Sequence, residues 1–302
     1  MKTALITCSY APDAERCRVL CRTVADHVDA SIEHLLLVPR SDAALFREVG
    51  GERSRVVCVE DLLPAWLHRV PGSKKWWWSL KTWPIRGWIV QQLVKLSACD
   101  ATDAEVLAFA DSDVVFVRPV RPEHLLVGDR VRLYANPDRG QGGRHANWNR
   151  VAGRLMGIEP RDFYAGDYIS QLVTWRRDVL LKLRERLSER GGRPWQVVLG
   201  RELDFSEYVL YGVFATDVLG AEAAGHAPVA DELCHCSWHY HSYGDEGEMD
   251  VPAFLKRFEP QHRAVLIQSN LGVDESWYRR LASGELALGA EPARLMLGRE
   301  AG

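Results

Sequence analysis

The chain has 302 residues, 47% of them apolar and 26% charged, which is the balance of a folded globular protein and excludes a disordered one. Its 38 basic and 41 acidic side chains leave a net charge of −3, without the excess of positive charge a general nucleic-acid binder carries. No apolar run reaches the roughly 18 residues of a membrane span, and Met1-Lys2-Thr3-Ala4-Leu5-Ile6-Thr7-Cys8 turns polar too soon for a signal peptide.

Thr3 to Cys8 reads as a short buried strand, broken by Ser9-Tyr10-Ala11-Pro12-Asp13. Ala14 to Val28 then carries apolar residues at helical spacing. A second strand at His34 to Val38, a helix over about Ser41 to Val49 and a third strand at Arg55 to Val59 follow. This alternation predicts a parallel sheet covered by helices, a Rossmann-like α/β fold. No glycine-rich phosphate loop follows the first strand, which removes the main support for a dinucleotide oxidoreductase or a P-loop enzyme. Gly87 to Ser97 reads as a helix, Glu105 to Ala110 as a buried strand and Val114 to Val117 as its continuation. Val131 to Ala135 is strand-like, and Asn136 to Asn149, rich in Gly, Asn and Arg, reads as a loop. Val179 to Leu187 is an amphipathic helix. Phe205 to Tyr211 and Leu233 to His241 read as strand or loop, and the tail from about Ala282 is small and polar enough to expect disorder. The seven scattered cysteines form no disulfide framework, so free thiols and a cytoplasmic location are expected.

The sharpest chemical signal is Leu107-Ala108-Phe109-Ala110-Asp111-Ser112-Asp113-Val114-Val115-Phe116. Two carboxylates leave an apolar strand one residue apart. Burying both ionised costs several kcal/mol unless a cation offsets it. A hard divalent ion does so and bridges naturally to phosphate oxygens. The C-terminal end of a parallel strand is also where such sheets bind ligands.

That Asp-x-Asp, its continuation to Arg118-Pro119, and the upstream Gly87-Trp88-x-x-Gln91-Gln92-x-x-Lys95 resemble bacterial glycosyltransferases of the GT-A fold, most closely a poorly characterised glycosyltransferase-like group. Asp167-Tyr168-x-x-Gln171, Trp175-Arg176-Arg177-Asp178-Val179-Leu180 and Phe205-Ser206-Glu207-Tyr208-x-x-Tyr211-Gly212 fit the same pattern. The resemblance implies a GT-A-like mixed central sheet flanked by helices. It implies a domain over residues 1–245, with a nucleotide-sugar-binding half at 1–118 and an acceptor and catalytic half at 119–245, followed by a C-terminal extension over 246–302. It implies transfer of a sugar from a nucleotide-sugar, UDP-sugar favoured, to an acceptor hydroxyl, with Mn2+ or Mg2+ held by Asp111 and Asp113. Ser9, Tyr10, Asp13, Arg16 and Arg40 would serve the nucleoside, with Gln91, Lys95, Asp111 and Ser112 also on the donor side. Asp167 and Glu207 are the carboxylates in matching motifs, candidates for a base or for stabilising a cationic centre. The aromatic neighbours of Glu207 would raise its pKa by desolvation. Asn147, Trp148 and Asn149 are candidates for the acceptor side.

Such enzymes often take a late histidine as third metal ligand. In Cys234-His235-Cys236-Ser237-Trp238-His239-Tyr240-His241-Ser242-Tyr243-Gly244 that role falls to His241, with His239 second. An extended chain would put His235, Ser237, His239 and His241 on one face, toward a ligand. A zinc site from Cys234, Cys236 and two histidines is the rival, although Cys-x-Cys is a poor chelate spacing.

Six of the eleven tryptophans fall between Trp66 and Trp88. Leu62 to Cys99 holds no Asp or Glu but six cations, Arg69, Lys74, Lys75, Lys81, Arg86 and Lys95. Such a segment suits sugars, bases and phosphates, or a membrane interface. Trp83 and Trp88 are expected in the core, and residues 70–75 as a lid. The competing readings are a nucleotidyltransferase, a phosphatase, and a non-catalytic carbohydrate- or membrane-binding module. The nucleotidyltransferase lacks its glycine loop, and a phosphatase would carry Asp-x-Asp near its N-terminus. No nucleic-acid partner is expected, and peripheral membrane contact stays open.

Overall fold

The computed structural model describes residues 1–70, 72–73, 76–237, 250–268 and 274–289. In chain order the strands and α-helices are β1 (Thr3–Cys8), α1 (Ala14–His27), β2 (Ile32–Val38), α2 (Ala43–Gly50), β3 (Ser54–Cys58), α3 (Val59–Leu62), β4 (His68–Arg69), β5 (Trp76–Trp78), β6 (Ile85–Arg86) and α4 (Gly87–Ser97). There follow β7 (Val106–Phe109), β8 (Val114–Phe116), β9 (Leu126–Val127), β10 (Arg130–Tyr134), α5 (Gly143–Met156), β11 (Val173–Arg176), α6 (Arg177–Gly191), α7 (Trp195–Leu199) and α8 (Glu207–Val213). The last are β12 (His226–Val229), β13 (Cys234–Ser237), α9 (Val251–Lys256), β14 (Ala264–Ile267) and α10 (Ser276–Ala282).

The fold is the expected mixed α/β class. Its central sheet has five strands in the order β11-β7-β1-β2-β3, all parallel except β11, which runs antiparallel to β7. Alternate residues of each strand feed opposite cores, so both faces must be covered. Ala4, Ile6, Leu35, Leu37, Leu107 and Phe109 pack under α4, α6 and α8. Leu5, Leu36, Val38 and Ala108 pack under α1 and α2. A sheet buried on both faces needs near-continuous apolar strands, and the six residues of β1 are all buried.

The connection from β1 to β2 leaves on one side of β1, and α4 returns the chain to β7 on its other side. The β1/β7 boundary is therefore the point where strand order reverses, and its C-terminal end is open for a ligand.

Two expected irregular stretches are helical. Asn136 to Asn149 turns through Gly140, Gly142 and Gly143, all with positive φ, and then becomes α5. Phe205 to Tyr211 is α8 from Glu207 onward, with Ser206 Oγ accepting from Val209 N at 3.4 Å as its cap. Within 246–302, the stretch set apart as an extension, β14 is the middle strand of the sheet β13-β14-β8, and Tyr278 of α10 donates to Ile267 O at 2.5 Å. The tail from residue 290 lies outside the described residues. All seven cysteines are free.

Candidate functional site

A cleft of about 800 Å3 opens at the β1/β7 boundary. Ser9, Tyr10 and Asp13 line it just after β1, and Asp111, Ser112 and Asp113 just after β7. Gln91 of α4 joins them, with Arg69, Trp76, Trp77, Arg86 and Trp88 on another wall and Leu266 and Gln268 from β14 and its exit.

Asp111 is held from behind. Gln171 accepts from Asp111 N at 2.9 Å and donates through Nε2 to Asp111 Oδ2 at 2.7 Å. Lys95 Nζ lies 3.1 Å from Asp111 Oδ1 and 3.3 Å from Glu207 Oε1, and donates to the Tyr208 hydroxyl at 3.0 Å. Asp111 Oδ1 is buried without a well-directed hydrogen bond, so its contact with Lys95 is an ion pair and a lone pair is left over. Next to Gln171, Leu172 takes a φ of 58°, the one positive value at a non-glycine among the described residues. A bulky residue is strained there, and Leu172 N donating to Phe109 O at 2.7 Å helps to hold it. The strain sits where the chain must both clamp Asp111 and enter β11.

Burial works to lower the Lys95 pKa, but the attraction of Asp111, Tyr208 and Glu207 overcomes it and keeps the ammonium charged. Burial raises the Glu207 carboxyl, in the direction its aromatic surroundings imply, with Lys95 opposing. Burial also pushes the Cys8 thiol on the cleft wall up to about 12, which leaves it protonated and unreactive.

The candidate residues separate into groups. Ser9, Tyr10, Asp13, Gln91, Asp111, Ser112 and Asp113 line the cleft together. Arg16 stands one step behind, its guanidinium on Asp13 at 2.7 Å. Arg40 is exposed, paired with Asp61, and does not line the cleft. Lys95 and Glu207 are buried and do not line the cleft; the Lys95 ammonium joins Glu207 to Asp111. Asp167 pairs its backbone with Asn136, and its carboxylate accepts from Ile169 N at 3.0 Å; it does not line the cleft. Asn147 and the Trp148 indole donate to Asp204, and Trp148 lies 6.2 Å from the Trp88 ring at the cleft. Asn149 is buried in α5. His239 and His241 lie outside the described residues.

The face expected to present histidines to a ligand is divided. Ser237 is buried, and His235 stacks on Phe254 at 4.1 Å and bonds to its carbonyl at 2.8 Å. It lines a second cavity of about 320 Å3, with Arg139, Glu232 and His262. Among the described residues, no three His, Cys, Asp or Glu side chains converge to hold a metal. Of the six tryptophans between Trp66 and Trp88, Trp77 is the buried one. Trp83 and Trp88, expected in the core, are 68% and 39% exposed. Arg144, anchored on Asp204, lies 4.5 Å from the centre of the Trp88 ring and 5.0 Å from that of Trp148.

Arg69 and Trp76 belong to the cationic aromatic segment that the sequence suits to sugars, bases and phosphates, whereas Gln171 and Gln268 have no assigned place there; Gln171 carries a signal, four residues after Asp167 in a motif already noted.

Fold and site together describe an α/β protein with a cleft at the reversal point of a parallel sheet and three acids, Asp13, Asp111 and Asp113, on its wall. The chain belongs to a family of unknown function (DUF6492), which matches residues 3–279. No curated protein matches it. Among solved structures it is similar to the galactosyltransferase LgtC in complex with donor and acceptor sugar analogues, at 14% identity and a TM-score of 0.46, over 96% of this chain and 98% of that one. It is also similar to an active-site mutant of LgtC, at 12% identity and a TM-score of 0.47, with the same coverage. Likeness at this level carries no conclusion about activity.

Proposed function

We propose that the chain is a glycosyltransferase of GT-A type, taking a sugar from a nucleotide-sugar, UDP-sugar favoured, to an acceptor hydroxyl. The observation that carries the reading is the cleft at the β1/β7 boundary, with Asp111 and Asp113 facing a wall formed by Ser9, Tyr10 and Asp13. Its volume is within the range of sites that enclose a small organic ligand, about 300–1,000 Å3.

The donor set suits a hard divalent cation. Both acids are oxygen ligands on the cleft wall, and Asp111 Oδ1 has a lone pair without a directed hydrogen bond. A cation such as Mg2+ is commonly held by one or two carboxylates and completes its shell with water and phosphate oxygens. When bound, it would neutralise charge on the departing nucleoside diphosphate.

The chain's own residues prepare that site. Lys95 and Gln171 fix the Asp111 carboxylate in place. Arg16 does the same for Asp13. The half-exposed Tyr10 ring offers a flat face to a base, and Ser9 a hydroxyl. Arg69 and Arg86 on the other wall supply positive charge for phosphate oxygens. Glu207 supports Asp111 through Lys95 and is not assigned proton transfer.

Calorimetric titration of UDP and of GDP, with Mn2+ and then with excess chelator, tests this reading. Micromolar binding of UDP that chelator abolishes is expected, with loss of that binding in Asp113→Asn at unchanged thermal stability. Equal nucleotide binding by the chain and the variant would sink it.

A further inference from the structure

We propose that the loop between β5 and β6, together with Arg201 and Leu203, is a docking surface for an anionic lipid bilayer. The inference stands apart from glycosyl transfer. It starts from exposure that folding leaves unexplained. Leu80 is 95% exposed, Leu203 80% and Trp83 68%, beside the half-exposed Trp78. Such a cluster of large apolar side chains marks an interaction site.

The loop is held out, not merely loose. Lys81 N donates to Ser79 Oγ at 2.9 Å, and Lys81 Nζ lies 5.4 Å from the centre of the Trp66 ring. Arg201 Nε donates to Lys81 O at 3.1 Å, which ties the segment carrying Leu203 to the same loop. Trp78 is steadied by the His68 ring at 5.4 Å. These contacts fix the apolar tips pointing outward.

Charge selects the partner. Residues 62–99 contain no acid, so Lys81 beside the tips faces no carboxylate of its own segment. The two acids flanking Leu203 are already spent, Glu202 on Arg154 at 2.7 Å and Asp204 on Arg144 at 2.8 Å. The surface is therefore apolar and cationic within a chain of net charge −3. A second copy fits it poorly, because a two-fold contact would set Lys81 and Arg201 against their own equivalents. A sugar fits the aromatic rings but gains little from bare leucine tips. A bilayer with anionic headgroups answers both properties, with Trp at the headgroup level, Leu below it and Lys and Arg on the phosphates. No described helix is long and apolar enough to cross a membrane, so the contact is peripheral. The strands flanking the loop carry Trp76 and Arg86 into the cleft wall, so docking would hold the cleft beside the bilayer.

The test is co-sedimentation of the full chain with vesicles of phosphatidylcholine containing about one-third phosphatidylglycerol, against phosphatidylcholine alone. Binding to the anionic vesicles that weakens at about 0.5 M salt is expected. The double variant Leu80→Glu with Trp83→Ser, both at exposed positions, should lower that binding by about tenfold or more at unchanged thermal stability. No anionic-vesicle binding, or equal binding by the double variant, would overturn the proposal. A concentration-dependent dimer in sedimentation velocity that the double variant dissolves would overturn it in favour of a second copy. UDP binding in the cleft reads the glycosyl-transfer proposal separately, so failure of one is distinguishable from failure of the other.

Discussion

Lys95 is surrounded by groups that need it. Asp111 Oδ1 and Glu207 Oε1 lie 3.1 Å and 3.3 Å from its ammonium, and Glu207 is almost wholly buried. Removing one partner of a buried ion pair leaves the other charged in a medium that solvates it poorly, at a cost of about 3–5 kcal/mol. Lys95→Met keeps most of the volume and removes the charge. It is expected to lower unfolding stability by about that amount, read from urea titration. Adding Glu207→Gln should return part of the loss, because it removes one of the two stranded carboxylates. Equal stability of Lys95→Met and the parent chain would refute the account. Asp111 and Asp113 were legible in the sequence because carboxylates leaving an apolar strand demand a cation. That Lys95 supplies part of that charge was not legible, since its partners Asp111, Glu207 and Tyr208 come from separate elements. Part of the positive charge these carboxylates call for comes from the Lys95 ammonium, 3.1 Å from Asp111 Oδ1.

At the scale of elements, α8 shows how packing overrules local preference. Phe205 to Tyr211 is rich in aromatics, which favour strands on a propensity scale. The chain forms a helix there because every residue of α8 is buried against α4, α5 and the Trp175 ring, with Tyr211 stacked on Trp175 at 4.6 Å. Gly212 is what lets this helix approach. A Cβ at that position would stand 2.2 Å from the Tyr168 ring. In an open helix Gly→Ala gains about 1 kcal/mol. Here the collision reverses the sign, since overpacking a filled core costs about 1–3 kcal/mol. Gly212→Ala should therefore lower the urea midpoint, followed by far-UV circular dichroism, and an unchanged or higher midpoint would show that Tyr168 yields freely. By contrast α4 was readable to its end residues, because its apolar face follows one helical period over eleven positions. The start of α5 was hidden by glycines that serve the turn before it.

For the molecule as a whole, the order of strands and helices through β3 was legible, since short apolar runs alternate there with stretches of helical spacing. The place of β14 was not, because its pairing with β13 and β8 joins segments far apart in sequence. Burial of the sheet also has a consequence that only the assembled fold produces. His34 sits inside it between Ser54 Oγ at 2.8 Å and Thr7 Oγ1 at 3.2 Å, and burial, with Arg53 adding to it, lowers its pKa to about 3. His226, between Tyr211 and the Val131 carbonyl, is lowered by burial to about 4. Both are depressed below the ordinary value of about 6.5, so the unfolded chain binds their protons first as pH falls. Their contribution is complete above about pH 6.5 and is lost progressively below it, by about 1.4 kcal/mol per pH unit for each histidine. Glu207 and Glu232, whose carboxyls burial raises, act in the opposite sense, because the native chain takes up their protons first. The comparison that isolates one group is His34→Asn, which keeps a polar partner for Thr7 and Ser54 and removes the titration. Urea unfolding between about pH 7 and pH 5 should show the variant taking up about one proton fewer on unfolding than the parent. Parallel pH profiles for the two would mean that His34 is protonated in the folded chain, and that the sheet between Thr7 and Ser54 admits the water a buried imidazolium requires.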